Sequence, residues 1–384
     1  LSPRLVSWLN IGMSMTLIAT FSIDGIPVLL GELLLTVPAL IEHEVAIPAM
    51  REAQDFFGRS GWSISGMKQK VNLVGPNCAI AWSGSWLGAR MAIGELATRA
   101  KTRELDPLEI LEYLHEEPEL RVHQAAFVGL VRFAGKMYQF QVSADEFDSP
   151  SLGRVHVSGT GAPAIREFSD MHPKFRIHVD RPIDHLNAPI YHALVLGGML
   201  LRSEIHGGFS APTLRNMFGG GYEIAFDAGG RIKKLQEVTY VIWLVTMSPG
   251  GVTVSPQMII TQRYVGDYLL LRSARLWLQD GVTTIADDQR HVITPMFKSD
   301  LDVPLNVLND FSLQSGLYCH CLLGQTEGSD IDIVGTLIRP VLAGSKVPIT
   351  FADESGGSRV SIGQDLINEI AQIVSRAAGE SKAG

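Results

Sequence analysis

Several features that would assign a chain to a large class of proteins are scarce or missing here. The 384 residues include only three cysteines, Cys78, Cys319 and Cys321, too few for a disulfide framework and typical of a reducing compartment. Lys and Arg total 32 against 40 Asp and Glu, and no basic patch interleaved with aromatics occurs. No apolar run reaches the ~18 residues that a membrane-spanning helix needs. We therefore expect a cytoplasmic protein that binds neither nucleic acid nor a membrane.

The composition instead indicates a large buried core in two domains. Hydrophobic residues make up 46% of the chain and charged residues 19%, and 384 residues suit two domains. A stretch rich in Gly, Pro, Ser and Thr, Pro249–Pro256, predicts the boundary. Beyond it, residues 253–384 form a mainly-β extension of short strands with a helix over about Gln364–Ala377, and no motif indicates its role.

The beginning of the sequence has two interpretations. The chain starts with Leu, and Met13 and Met15 follow soon after. Residues 1–15 are therefore either an N-terminal extension or a segment upstream of a translation start at Met15. No small-residue cleavage site follows the apolar stretch Leu5–Ile11, so a signal peptide is not predicted.

The first part of the chain predicts a buried hairpin. Thr16–Ile23 alternates and is rich in β-branched and aromatic residues, which favours a strand. Asp24-Gly25 is a strong hairpin turn, and the nearly all-apolar Ile26–Leu35 is the expected return strand, buried on both faces. Residues 37–61, with two prolines and several charges, are interpreted as an insertion.

The helices that follow have clear start signals. Cys78–Ser83 is a predicted strand, and Ser85 is the predicted N-cap of a helix over about Trp86–Thr102. A second helix is expected after Asp106-Pro107, where Asp caps and Pro takes the first helical position. Further along, strand pairs and helix pairs alternate, an order that suits two stacked sheets with helices on their outer faces.

Four motifs in this order resemble a known family. They are Met15–Phe21 followed by Asp24-Gly25, Lys70–Val74 before Cys78–Ser83, Ser158-Gly159-Thr160-Gly161 before a small-residue helix, and Gly219-Gly220-Gly221 before Tyr222–Asp227. Together they resemble the proteasome β subunits and their bacterial relatives, which are N-terminal-nucleophile (Ntn) hydrolases. The resemblance covers about Thr16 to Val245 and implies an α+β fold, a four-layer αββα sandwich, over residues 16–248.

The resemblance also implies roles for individual residues. Thr16 would be the nucleophile, and Glu32 stands where the family has an aspartate. Lys70 would be the active-site lysine and Ser158 the hydroxyl beside the terminal amine. A backbone N–H near Gly84 or Ser85, at the start of a helix, would stabilise the oxyanion.

Some positions depart from the family pattern. Asn216 stands where an aspartate is expected, Gly219 replaces a serine, and Leu33-Leu34 replaces an arginine. Taken one at a time, the matching residues also have structural interpretations: Thr16 as a β-branched strand residue and Lys70 as an edge lysine. The hypothesis depends on their joint order.

A threonine hydroxyl is a weak nucleophile at neutral pH and needs a base. If Thr16 begins the chain, its own α-amine, with an ordinary pKa of about 7.7–8.0, can accept the hydroxyl proton. A nearby lysine lowers the pKa of both groups through its positive charge. With residues before Thr16 still attached, the nitrogen is an amide and cannot act as a base.

The family resemblance therefore implies a threonine-type peptidase without cofactor or metal. It would self-associate into a ring or stack, take a peptide or protein substrate, and have an ATP-dependent unfoldase as a potential partner. Two alternatives stay open. Asn216 and Gly219 favour an inactive structural subunit, and the 37–61 insertion favours an amidohydrolase of small molecules.

Other candidate sites have weaker patterns. The histidines at 172, 178, 185, 192 and 206 match no metal-binding signature. Cys319-His320-Cys321 alternates within a predicted strand, which places both sulfurs on one face, and we interpret the pair as core packing.

Overall fold

The computed structural model describes residues 15–38, 45–51, 61–171, 177–179, 187–248, 251–279, 282–298, 303–326, 332–341, 349–354 and 357–381. Of the predicted 1–15 extension it describes only Met15, and most of the predicted 37–61 insertion also lies outside the described residues. The described chain is a mixed α and β structure that divides into two compact units. The first comprises Leu1–Pro173, Ala188–Ala193 and Ser203–Leu235, and the second Lys174–Asn187, Leu194–Arg202 and Gln236–Gly384.

The strands are numbered in chain order. They are β1 Ile18–Ile23, β2 Ile26–Glu32, β3 Leu34–Val37, β4 Ser63–Met67, β5 Val71–Leu73, β6 Cys78–Ser83, β7 Ala126–Phe133, β8 Lys136–Val142, β9 Asp145–Ser149, β10 Gly153–Ser158, β11 Ile177–Val179, β12 Tyr222–Asp227, β13 Ile232–Lys234, β14 Glu237–Ser248, β15 Gly251–Val265, β16 Tyr268–Gln279, β17 Val282–Ile293, β18 Leu317–Thr326, β19 Asp332–Pro340, β20 Ile349–Glu354 and β21 Gly357–Ile362.

The α-helices are numbered in the same way. They are α1 Trp86–Ala100, α2 Pro107–Glu116, α3 Pro118–His123, α4 Ala162–Met171, α5 Ala188–Gly207, α6 Pro212–Arg215, α7 Leu305–Leu308 and α8 Gln364–Ser381. No helix in the described ranges is both long and apolar enough to cross a lipid bilayer.

The first unit contains a six-stranded sheet in the order β13-β12-β2-β1-β10-β9. Its centre is the predicted hairpin: β1 pairs antiparallel with β2 across Asp24 and Gly25, whose φ angles of 51° and 78° suit a tight turn. All of β2 after Ile26 is buried, as its apolar sequence predicts. Strands β10 and β12 flank this hairpin in antiparallel register. Strand β9 was not predicted because its sequence, DEFDS, is largely charged.

A second sheet of the same unit has the order β5-β6-β7-β8. Buried side chains of both sheets form one core cluster, which includes Ile18 and Leu29 from the six-stranded sheet with Val71, Ala81 and Val128 from the four-stranded sheet. The apolar faces of the two sheets are therefore buried against each other, as a mixed structure with one core requires.

The helix starts predicted from the sequence are confirmed. The Ser85 hydroxyl accepts a hydrogen bond from Gly88 N and caps α1, and the Asp106 carboxylate accepts from Leu108 N and caps α2 with Pro107 in its first turn. Helix α1 contacts β6 and α2 contacts β8, whereas α4 contacts β1 and β10. Each of the two sheets thus has helical cover.

The second unit contains a nine-stranded sheet in the order β11-β19-β18-β14-β15-β16-β17-β21-β20. Helix α8, somewhat longer than predicted, contacts β15, β18 and β19. The predicted boundary at Pro249–Pro256 is wrong. Strand β14 pairs along its whole length with β15, so its residues belong to the second unit, and the boundary falls between Leu235 and Gln236. The Gly- and Pro-containing stretch marks a hairpin within one sheet.

Candidate functional site

Thr16 lies two residues before β1 and is brought directly to the end of β2. The register of the hairpin pairs Ile18 with Gly31, and Glu32 N donates to Leu17 O at 3.0 Å, which places Thr16 beside Glu32. The Thr16 hydroxyl donates a hydrogen bond to Glu32 Oε1. Both residues are buried, with 1% and 0% of their surface exposed. The two residues that the sequence places 16 apart are therefore in direct contact.

Glu32 also contacts Lys70, the third candidate. Lys70 Nζ lies 3.6 Å from Glu32 Oε1, the same oxygen that accepts the Thr16 hydroxyl, and both side chains are almost fully buried. The ammonium also lies 4.2 Å from the ring centroid of Trp82, a cation–π distance. Glu32 Oε2 accepts from Leu34 N at 2.6 Å and from Gly219 N at 3.1 Å. Both carboxylate oxygens are therefore held by donors.

Burial moves the pKa values of this pair toward the neutral forms. Desolvation raises the pKa of Glu32, and the charge of Lys70 together with the hydrogen bonds from Thr16, Gly219 and Leu34 opposes that rise. Desolvation lowers the pKa of Lys70, and the charges of Glu32 and Glu223 oppose it. The opposite charges of Glu32 and Lys70 thus counteract the effect of burial on both groups, next to the Thr16 hydroxyl that shares Glu32 Oε1.

Ser158, the fourth candidate, ends strand β10 opposite Ile18 in β1. Its hydroxyl lies 2.9 Å from the Ser83 hydroxyl, a buried partner that sequence reasoning missed. The following turn is folded onto Thr16: Gly161 N donates to Thr16 O at 3.0 Å. Gly159 has a φ of +98°, and a Cβ there would collide with the Thr16 carbonyl, so this position requires glycine.

Two of the positions that depart from the family pattern, Asn216 and Gly219, behave differently from each other. The Asn216 side chain is exposed and donates to Pro212 O at 2.8 Å within its own turn, so it takes no part in the Thr16 cluster. Gly219 does take part, because its N–H donates to Glu32. Its φ is +137°, and a Cβ on it would collide with the carboxylate of Glu204. A serine would not fit there, because Glu204 fills the space.

Glu204 is a further buried acid beside the candidate residues. Its Oε2 accepts from Gly220 N at 3.1 Å, and its Oε1 accepts from the Tyr222 hydroxyl at 2.9 Å. Burial, with a smaller contribution from the negative charge of Glu32, raises the pKa of Glu204 to about 8. Glu204 therefore carries a proton at neutral pH, and Glu32 is not faced by a second buried carboxylate charge.

A pocket of about 290 Å³ opens beside Lys70. Its lining includes Lys70, the predicted oxyanion residues Gly84 and Ser85, and Met15, the residue bonded to Thr16. The other lining residues are Leu35, Thr36, Pro38, Trp62, His123 and Gln124. The pocket can therefore bring a small group close to the Lys70 ammonium and the start of helix α1.

The sequence carried only weak signals for the residues that were missed. Glu204 lies in the mostly apolar helix α5, and Glu223 lies between the apolar residues Tyr222 and Ile224 in β12. A single charged residue inside an apolar element is such a signal, because burying it needs partners. Glu204 has its partners 16 and 18 residues along the chain, whereas Glu223 binds the Lys70 backbone 153 residues away.

Comparison with known proteins gave no match: no protein-family model and no curated protein sequence is significantly similar to this chain. The functional argument therefore depends on the geometry of the site.

Proposed function

We propose that the first unit is a threonine-type Ntn hydrolase of the proteasome β-subunit type, which cleaves peptide bonds with Thr16 as nucleophile. The observation that carries the proposal is the shared carboxylate oxygen: Glu32 Oε1 contacts both the Thr16 hydroxyl and the Lys70 ammonium. In the sequence, Thr16 lies 16 positions before Glu32, and Lys70 lies 38 positions after it. The family resemblance implies that these residues share one site, and their contacts support the proposal.

The fold supports the same proposal at a coarser level. Two sheets share one core, with α1 and α2 against one sheet and α4 against the other. This arrangement is compatible with the four-layer αββα sandwich of the family. Self-association into a ring or stack, cytoplasmic localisation and delivery of substrate by an ATP-dependent unfoldase belong to the proposal through the family resemblance.

In the first half-reaction, the free α-amine of Thr16 takes the proton of the Thr16 hydroxyl. The hydroxyl oxygen bonds to the carbonyl carbon of the substrate, and the carbonyl π electrons move onto its oxygen. Backbone N–H groups near Gly84 and Ser85, at the wall of the pocket, donate hydrogen bonds that stabilise this oxyanion. The C–N bond then breaks, the leaving amine takes the proton from the α-ammonium, and an ester on Thr16 remains.

In the second half-reaction, water replaces the amine. The α-amine takes a proton from water, the water oxygen bonds to the ester carbon, and the bond to the Thr16 oxygen breaks as that oxygen recovers its proton. Lys70 and Glu32 stay in place through both halves. The ammonium stabilises negative charge that develops on the threonine oxygen, and the carboxylate holds the ammonium.

The proposal is tested by peptide hydrolysis with a chain whose first residue is Thr16. We expect Thr16→Ala to remove hydrolysis, by up to about 10⁶-fold as for other catalytic nucleophiles, with an unchanged circular dichroism spectrum. Thr16→Ser, which keeps a hydroxyl, is the matched control and should retain measurable activity. A Thr16→Ala variant that still cleaves the peptide would refute the nucleophile. A parallel screen with small amides distinguishes a peptidase from an amidohydrolase of small molecules.

A second candidate function is a structural subunit without catalysis. It is favoured by Asn216, which stands at the aspartate position of the family and binds its own turn instead of the cluster. This alternative predicts that the chain beginning at Thr16 folds and self-associates normally but neither cleaves amides nor reacts with hydroxyl-directed electrophiles.

A further inference from the structure

A buried carboxylate of strand β12 holds the backbone of the segment that carries Lys70. Glu223 Oε2 accepts from Lys70 N at 2.6 Å and from Val71 N at 2.9 Å. The Glu223 side chain has no exposed surface. Two consecutive amide groups that enter a strand are normally satisfied by carbonyl oxygens of a neighbouring strand. Here a charged side chain takes that place, and charged acceptors form stronger hydrogen bonds.

The other oxygen of Glu223 is paired with a lysine. Lys234 Nζ lies 2.7 Å from Glu223 Oε1 and donates to Gln69 Oε1 at 2.8 Å. The Lys234 side chain is only 9% exposed. Through Glu223 and Lys234, the three consecutive residues Gln69, Lys70 and Val71 are all bound.

This ion pair joins the two sheets of the first unit. Glu223 and Lys234 lie on β12 and β13 of the six-stranded sheet, whereas Val71 begins β5 of the four-stranded sheet. The Trp82 indole on β6 donates to Gln69 O at 3.3 Å from within the four-stranded sheet. The backbone of Lys70 is thus fixed from both sheets, and its side chain reaches Glu32 from that fixed base.

We propose that Glu223 and Lys234 are positioning residues: they act through the backbone of Gln69–Val71 to hold the Lys70 ammonium against Glu32 and Thr16. This inference rests on the proposed function, because it assigns the pair to the same site. Burying the Glu223–Lys234 pair costs the free energy of removing two charges from water. A buried pair of apolar side chains of similar volume often gives equal stability. Its use beside Lys70 is explained if the exact placement of that ammonium matters.

The pair also sets the charge around Lys70. The charged and titratable groups near Lys70 are Glu32 on β2, Glu223 on β12 and Lys234 on β13, and His123 of α3 lines the same pocket. The negative charge of Glu223 counteracts the lowering of the Lys70 pKa by burial. Removal of Glu223 alone therefore leaves an unbalanced positive charge, and removal of Lys234 alone leaves an unbalanced negative one.

Two readouts test the inference. The first is amide hydrogen exchange in the full chain, followed over peptides that contain Gln69–Val71. The second is the pH dependence of Thr16 acylation by a β-lactone in the chain that begins at Thr16. In that reaction the Thr16 oxygen bonds to the lactone carbonyl carbon, the ring C–O bond breaks, and the proton of Thr16 passes to the ring oxygen. The variants are Glu223→Gln, Lys234→Met and their double.

We expect Glu223→Gln to speed exchange of the Lys70 and Val71 amides at least tenfold and to lower the pH of half-maximal acylation, because a positive charge is left behind. Lys234→Met should shift the same midpoint upward, and the double variant should lie between the two single variants. If the pair were merely structural, both single variants would be acylated more slowly, and their pH midpoints of acylation would not shift in opposite directions. The matched control is Asp227→Asn. Asp227 lies on the same strand as Glu223 and forms an ion pair with Arg132 at 2.5 Å, away from residues 69–71.

Unchanged exchange of the two amides in Glu223→Gln would overturn the inference, and so would midpoints that move in the same direction in both single variants. A wild-type chain that is not acylated at Thr16 would instead refute the proposed function. In that case the exchange readout still decides whether Glu223 holds the Lys70 segment.

Discussion

The two units bury polar side chains in different ways. In the first unit the buried polar groups include ionisable residues in opposite pairs, Glu32 with Lys70 and Glu223 with Lys234. In the second unit the residues buried in the nine-stranded sheet include His320, Cys319 and Tyr240, neutral groups without an opposite charge at hydrogen-bond distance among the described residues.

The neutral groups of the second unit behave as packing. Trp243 Nε1 donates to His320 Nδ1 at 3.1 Å, and burial lowers the pKa of His320 to about 3, so the ring stays uncharged at neutral pH. Within the described residues, His320 Nε2 and the Tyr240 hydroxyl have no hydrogen-bond partner. This agrees with the interpretation of Cys319-His320-Cys321 as core. Burial alone therefore does not mark a site, and the buried charges beside the Thr16 hydroxyl are what distinguish the first unit.

The largest expected effect tests whether the Glu32–Lys70 pair serves chemistry or stability. Glu32→Gln and Lys70→Met should each lower peptide hydrolysis by about 10²–10³-fold or more, since each removes charge at the reacting oxygen. Each single variant leaves a buried charge unpaired and should lose about 3–5 kcal/mol of unfolding free energy. The double variant should recover most of that stability but none of the activity, as measured by urea unfolding and peptide hydrolysis. An active double variant would show that the pair is only structural.

A smaller effect concerns Glu204, a buried acid of the first unit whose hydrogen bonds among the described residues come from Gly220 N and the Tyr222 hydroxyl and not from a cation. Its pKa is raised from 4.5 to about 8, so the folded protein keeps a proton that the unfolded chain releases. Unfolding free energy therefore falls as pH rises from about 4.5 to about 8, by roughly 1.4 kcal/mol per pH unit, and is level above that range.

Glu204→Gln keeps the shape of the side chain and removes this titration. We expect the variant to match wild type near pH 4.5 and to exceed its unfolding free energy by about 3–5 kcal/mol at pH 8. Urea unfolding of both proteins at several pH values measures the difference. A difference that does not change with pH would mean that Glu204 is ionised in the folded protein.

The smallest effect sharpens the comparison between the units. Tyr240→Phe in the second unit removes a buried hydroxyl without a described partner and should change unfolding free energy by less than about 1 kcal/mol, in the stabilising direction if at all. Tyr222→Phe in the first unit removes a hydroxyl that donates to Glu204 at 2.9 Å and should cost about 1–2 kcal/mol. Equal changes in unfolding free energy for the two variants, measured by urea unfolding, would contradict this difference between the two units.

The sequence predicted local structure well. The Asp24-Gly25 hairpin, the Ser85 and Asp106 caps and the strand Tyr222–Asp227 all follow from short-range signals. The positions of Thr16, Glu32 and Lys70 were proposed from a resemblance, and the fold brings them into contact.

Long-range pairing was beyond the sequence. The Gly- and Pro-containing stretch Pro249–Pro256 predicted a domain boundary, but the strands on its two sides, β14 and β15, pair in one sheet. Glu223 could not be connected to Lys70, 153 residues away, since only the stacking of two sheets brings them together. The space at Gly219 is decided by the side chain of Glu204 on helix α5, a contact that no local sequence signal indicates.

The most direct test of the account is the mass of the protein after reaction with a β-lactone, with the modified residue located by peptide mapping. We compare the chain that begins at Thr16 with the same chain retaining Met15. In the longer chain the Thr16 nitrogen is an amide and cannot serve as a base. The account predicts one adduct on Thr16 in the first chain and none in the second. Equal labelling of both chains, or no labelling of Thr16 in either, would contradict it.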